Sequence, residues 1–323
     1  MITRIFSRRI LPAFLTLAFL VIFSPASAET VSEAGDVAKR FSSPEEAAKN
    51  LIEAAQDGNS SKISELFGQK YAEILSSGDD VEDKNNREKF LALAKEKSSI
   101  ETQGENKAIL QFGQSDWAFP IPVVKTGDQW AFDPELGMQE ILDRRIGRNE
   151  LSTMAAMKAY VEAQFDYASV DRDGDDVAEY AMKLRSEPGK FDGLYWEAEP
   201  GQPESPLGPL FAEAKAEGYL AKKPADQRPT PYHGYYFKIL SSQGSSAPGG
   251  KYDYVINGNM IAGFALVAFP AKYGSSGVMT FIINHQGKLY QKNSGPKTSE
   301  IATALKKYDP DSSWDVVDKK TTP

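Results

Sequence analysis

The chain has 323 residues, 41% hydrophobic and 25% charged, with a formal net charge of −8 and no cysteine. That composition is globular, and the length allows two ordinary domains. The missing cysteines exclude disulfides, thiol nucleophiles, cysteine-ligated zinc and lipid attachment at an N-terminal cysteine, while the acidic balance disfavours nucleic acid.

The first 28 residues have the three-part layout of a secretory signal peptide. Arg4, Arg8 and Arg9 precede an apolar run from Ile10 to Phe23, Pro25 breaks it, and Ala26-Ser27-Ala28 supplies the small residues that a signal peptidase reads. The run is about 14 residues, short of the roughly 20 that a bilayer-crossing helix needs. The expected product is a periplasmic or secreted protein beginning near Glu29, with no transmembrane segment left after cleavage. Loss of the three arginines takes the formal charge from −8 to −11.

Residues 29–42 read as a mobile polar leader. Ser43-Pro44-Glu45-Glu46 is a capping box with proline at the first helical position, and Ala47, Ala48, Leu51, Ile52 and Ala55 follow at helical spacing up to Gly58. Ile63, Leu66, Phe67, Tyr71, Ile74 and Leu75 mark a second helix, and residues 85–97 a third. The period then changes to two. Strands are expected at 108–112 and 116–124, the latter an edge because of Pro120 and Pro122, and Gly127-Asp128 turns into a strand at 129–132. Residues 134–168 read as helical with a break at Gly147.

From Tyr180 the chain is turn-rich and aromatic. One helix is expected over 207–218, and strands over 233–240, 252–256, 263–269, 278–283 and 288–291, joined by short glycine turns. The fold class that follows is α+β. A helix-plus-antiparallel-sheet module at 43–146 precedes a module at 147–317, where a long helix packs on an antiparallel meander, and 318–323 form a disordered tail. The two modules are expected to fold largely separately.

Three resemblances sharpen this outline. The pattern "SPEEAAKNLIEAAQDGNSSKISELFG" followed by "KTGDQWAFD" resembles the cone fold of nuclear-transport-factor-like proteins. The segments "RRIGRNELSTMAAMKAYVEAQFDYASVDRDGD", "DGLYW", "SPLGPL", "YHGYYFKIL", "APGGKYDYV", "GFALVAFPAKYGSSGVMTFIIN" and "YDPDSSW" resemble domain-of-unknown-function family 2950. That likeness implies a secreted or periplasmic bacterial envelope protein with no assigned activity. The C-terminal half is also similar to the globular heads of type IV pilins, although the pilin leader is missing and the helix sits mid-chain.

Candidate chemistry is sparse. Asp171, Asp173 and Asp175 alternate as hard-cation ligands do, which makes a weakly bound calcium ion the one cofactor to consider. An EF-hand loop would want glycine and glutamate where Asp176 and Met182 stand, so a solvated acidic cap is the competing reading. His233 and His285 lack zinc-site spacing, and no G-x-S-x-G elbow presents a serine. Gly249-Gly250 precedes a strand and reads as a turn. Tyr195, Trp196, Tyr232, Tyr235, Tyr236, Phe237, Tyr252, Tyr254 and Tyr273 form a dense aromatic set, half of which should be core and the rest a recognition face. These features point to a non-enzymatic binding or assembly protein of the bacterial envelope, with an envelope protein or a glycan as partner. The alternative is an envelope-acting hydrolase using paired carboxylates in the 171–176 loop or at Asp192.

Overall fold

The computed structural model describes residues 38–58, 60–71, 76–172, 174–219 and 230–317. All of them fall in one compact unit, Gly35–Pro323. The expected signal peptide at 1–28, residues 29–37 of the expected leader and the expected tail at 318–323 lie outside the described residues.

Helix α1 (Pro44–Asp57) starts where the capping box places it. Ser43 is extended, its Oγ accepts the Glu46 N–H at 3.3 Å, and the Glu46 carboxylate turns back to the Ser42 N–H at 2.7 Å. Gly58, at φ 63°, ends it. The chain is already fixed before this cap, because Phe41 exchanges backbone hydrogen bonds with Trp130 and is buried. Helix α2 (Ser60–Phe67) adds Leu66 and Phe67 to the same core. The next helix, α3 (Asp80–Glu96), begins five residues earlier than its apolar pattern suggests, because Asp79 caps it.

These helices cover an antiparallel sheet of β1 (Ser98–Thr102), β2 (Lys107–Phe112), β3 (Trp117–Ala118), β4 (Val123–Thr126) and β5 (Gln129–Phe132), ordered β1-β2-β4-β5 with β3 also on β2. Strand β2 alternates strictly, burying Ala108, Leu110 and Phe112. Between β3 and β4 lie Pro120 and Pro122, which cannot donate to a ladder, and pairing resumes at Val123.

Helix α4 (Pro134–Tyr167) is continuous, so the break and module boundary expected at 146/147 fall inside a helix. A mid-helix glycine disfavours the helix by only about 1 kcal/mol. Here that is outweighed by its neighbours, since Arg145 and Asn149 are buried and hydrogen-bonded on one side while a side chain at Gly147 would meet nothing within 4 Å.

Beyond α4, helix α5 (Gly208–Ala216) leads to a second antiparallel sheet. Its strands are β6 (Tyr235–Leu240), β11 (Ala265–Pro270), β12 (Met279–Asn284), β13 (Tyr290–Asn293) and β14 (Asp315–Val316), ordered β14-β13-β12-β11-β6. The expected strand at 252–256 is two short ones. β8 (Tyr252–Asp253) pairs with β7 (Ser242–Gln243), and β9 (Val255–Ile256) with β10 (Asn259–Met260). Helix α6 (Thr298–Ala304) and β14 were not expected and are too short to show a period. Register fixes the faces: Tyr235, Phe237 and Ile239 lie beside Pro270, Ala268 and Leu266, with Phe281 and Ile283 next along. This face turns to α4, where the Tyr235 hydroxyl reaches Glu150 at 3.4 Å. The other face, with Tyr236, Lys238 and Phe269, turns to α6, where the Lys238 ammonium donates to the Thr303 and Leu305 carbonyls at 2.7 and 2.8 Å. The fold is thus α+β with two hydrophobic cores, one per sheet.

Candidate functional site

The second sheet carries a cavity of about 840 Å³ at β6. Its lining includes eight aromatic rings, Tyr160, Phe211, Tyr219, Tyr232, Tyr235, Tyr236, Phe237 and Phe269. The floor is buried: Ala156 and Tyr160 come from α4, Leu207 and Ala214 from the α5 region, and Tyr235, Leu266 and Phe269 from the sheet. The rim is polar, with Arg185, Ser299 and Thr303 exposed. The volume is that of a small-molecule or peptide side-chain site. A second hollow, about 670 Å³ between α1 and β1, has the exposed Glu45, Lys49, Glu53 and Gln56 beside Ala48, Ile52 and Ile100, and no aromatic ring among the described residues of its lining.

Burial holds four phenols of the cavity neutral, those of Tyr160, Tyr219, Tyr232 and Tyr235. Burial drives the Tyr235 hydroxyl far above its usual range, the Glu150 carboxylate adds to this, and the hydroxyl donates to the Met279 carbonyl at 2.9 Å. Burial likewise raises Tyr232, with Glu217 and Glu213 adding to it, and Tyr219, with Asp79 adding to it. Among the described residues the charged side chains in the lining are Arg185 and Lys238, both cations.

Tyr219 joins this cavity to a buried polar seam between the two cores. Its hydroxyl donates to Asp79 Oδ2 at 3.0 Å, an atom that also accepts the Gly234 N–H at 3.0 Å, while Oδ1 accepts the Val81 and Glu82 N–H groups at 3.1 Å each. Burial raises the Asp79 pKa, and these donors pull against the rise. Glu82 accepts from Arg148 at 2.9 Å and Asn149 at 3.2 Å. Asn149 donates onward to the Ser276 carbonyl at 3.0 Å, and Arg145 to Ser275 Oγ at 3.2 Å. Gly234 sits at φ 71°, and a Cβ there would lie 2.7 Å from Asn149 Nδ2 and 2.8 Å from Ser276 Cβ. Asp79 and Glu82 thus face structural donors.

The acidic loop is organised around its own backbone. Asp171 accepts the Gly174 and Asp176 N–H groups at 2.8 and 2.9 Å. Asp175 accepts the Val177 N–H at 2.8 Å and the Asn259 amide at 2.7 Å. Asp173 lies outside the described residues. Among the described residues no group of three or more metal-type ligands is arranged to hold an ion. Asp192 is held by Lys183 and the Glu187 N–H, at 2.7 and 2.9 Å.

The two histidines sit in different surroundings. His233 Nε2 lies 3.2 Å from Glu217 beside Tyr232, and His285 packs on Tyr254 and Phe264, where burial lowers its pKa. Gly249 and Gly250 are left-handed turn residues ahead of β8, with the Gly250 carbonyl bound by Gln243. Of the aromatic set, Tyr232, Tyr235, Tyr236 and Phe237 line the cavity, whereas Tyr254 is sealed in the core. Sequence reasoning did not single out Tyr160, Arg185, Phe211 or Tyr219. They come from four separate segments, and no local pattern links them.

The fold and the cavity define an α+β protein with an aromatic hollow at a sheet edge. The chain belongs to the family "Protein of unknown function (DUF2950)", which it matches over residues 38–317. No curated protein and no solved structure matches it.

Proposed function

We propose that this is a non-enzymatic binding protein of the bacterial cell envelope, exported to the periplasm or beyond, whose ligand places apolar groups in the cavity at β6. The observation that carries the reading is the hollow of about 840 Å³ floored by buried rings and rimmed by polar residues. Protein interiors are close-packed, so packing alone does not account for a hollow of this size. Export is supported by the layout of the first 28 residues. The arrangement of α4 beneath an antiparallel sheet supports the likeness to pilin heads at the level of layers.

The lining chemistry favours a protein or another largely apolar ligand over a glycan. Sugar sites rely on planar polar side chains, and among the described residues no Asp, Glu, Asn or Gln lines the hollow. A hydrolase is supported less, because Asp171, Asp175, Asp192, Asp79 and Glu82 are all engaged by internal donors. Saturable fluorescence enhancement of the neutral probe N-phenyl-1-naphthylamine tests the reading. The wild type should bind it and Ala214→Trp, which fills the hollow from α5, should not. Enhancement that is absent, or equal in the two proteins, would overturn it.

A further inference from the structure

The cavity wraps a sheet edge that is unpaired in its middle among the described residues. β6 is the last strand of its sheet, with β11 on its inner side. Antiparallel pairing alternates, so every second residue of an edge strand turns its N–H and C=O away from the sheet. The parity is fixed at both ends of β6. Tyr235 exchanges backbone bonds with Tyr232 on the outer side, and the Ser241 carbonyl accepts from the Tyr254 N–H. Between them, Phe237 and Ile239 must also point outward. Among the described residues neither has a backbone hydrogen-bond partner there.

We propose that β6 is a strand-addition site, and that the ligand is an extended segment of another polypeptide that pairs with Phe237 and Ile239. This rests on the reading of the cavity as the binding site. Two further features favour a peptide. An added strand sends alternate side chains to opposite faces, and the hollow has lining on both: Phe237 and Leu266 on the α4 face, Tyr236, Phe269 and Thr303 on the α6 face. A backbone also supplies donors and acceptors at the spacing that Phe237 and Ile239 present, which a hydrocarbon chain or a flat ring does not. A lysine on an edge strand usually guards against such pairing. Lys238, however, is tied back to the Thr303 and Leu305 carbonyls on the α6 face.

Charge narrows the class. Among the described residues the charged ones in the lining are Arg185 and Lys238, and the exposed Arg185 guanidinium makes no ion pair there. Glu213 and Glu217 act on Tyr232 but do not line the hollow, and Glu217 faces His233. The segment is therefore apolar at alternate positions and carries a carboxylate, as an acidic residue or as a chain terminus.

The test selects binders to the full-length exported protein from a displayed library of peptides with alternate apolar residues and one aspartate. Selected peptides should slow amide exchange at Phe237 and Ile239 on the order of tenfold. Methylating the peptide amides that face β6 should weaken binding about tenfold, and Arg185→Gln should weaken aspartate peptides more than their asparagine counterparts. Ile239→Pro removes an outward donor at a residue outside the cavity lining, where an edge strand tolerates proline, and should abolish binding with the melting temperature retained. If that variant fails to fold, the methylated peptides give the same answer. Three results would overturn the inference: no binders, binders insensitive to amide methylation, or dimerisation through β6 in solution. Binding of N-phenyl-1-naphthylamine alongside any of these would leave the cavity reading standing; its absence would remove both.

Discussion

The two cores solve the same problem differently. The N-terminal sheet buries one face under α1, α2 and α3, and β2 shows it by alternating buried and half-buried residues along its length. The C-terminal sheet is covered on both faces, and β11 is buried at every position from Ala265 to Pro270. One cover, α4, packs closely through Met157 and Tyr160. The other side of the edge strand is closed less completely by short elements, α5 and α6, and the hollow forms there. Incomplete cover of this strand edge among the described residues is what sets the second sheet apart from the first.

The sharpest way to break this comparison is to empty each core in turn. Phe281→Ala and Phe112→Ala should each cost about 3–5 kcal/mol, and because the seam ties the cores, both should lower one shared urea transition. Trp117 and Trp130 report the first core, and Trp196 and Trp314 the second. A loss confined to one set of reporters would show two independent folding units.

Asp79→Ala should come next. It removes a helix cap and strands the Tyr219 hydroxyl and the Gly234 N–H, for a combined loss of roughly 3 kcal/mol. It should also split the single transition into two. A melt unchanged in shape and midpoint would mean the seam does not couple the cores.

The pH profile sharpens the contrast further, because the half-buried His285 and the buried Asp79 have opposite signs. His285 has a lowered folded pKa, so its contribution is present above the usual histidine value and is lost as pH falls through the folded one. Asp79 has a raised pKa, so its contribution is present at low pH and is lost as pH rises through the folded value. Between pH 7.5 and 5 the melting temperature should therefore fall less in His285→Gln than in the wild type. Parallel profiles would contradict this.

The smallest expected effect is at the acidic loop. Asp171 and Asp175 already satisfy backbone and Asn259 donors. Melts in millimolar calcium and in EGTA should differ by less than about 1 kcal/mol, the gain from a site barely filled at that concentration. A shift of several degrees that Asp175→Asn abolishes would make the loop a calcium site.

Local chemistry was readable where it acts over a few residues. The Ser43 cap, the Gly58 stop, the alternation of β2 and the prolines that interrupt the first sheet all follow from neighbours in sequence. Tertiary contacts decided the rest. Gly147 reads as a break, yet Arg145 and Asn149 are bonded on either side of it and the helix runs through. The cavity was half legible: "YHGYYFKIL" marks Tyr232, Tyr235, Tyr236 and Phe237 as an aromatic strand, but nothing in it announces that Tyr160, Phe211 and Tyr219 converge on it. The edge at Phe237 and Ile239, open among the described residues, depends on strand order, which β6 reverses by pairing with β11 rather than with its neighbour in sequence.

The most direct test of the account is amide chemical-shift mapping of the labelled protein during titration with N-phenyl-1-naphthylamine. The account predicts saturable shifts concentrated at 207–214, 230–238 and 266–271, with residues 98–132 of the first sheet unmoved. Shifts centred on the hollow between α1 and β1, or none that saturate, would contradict it.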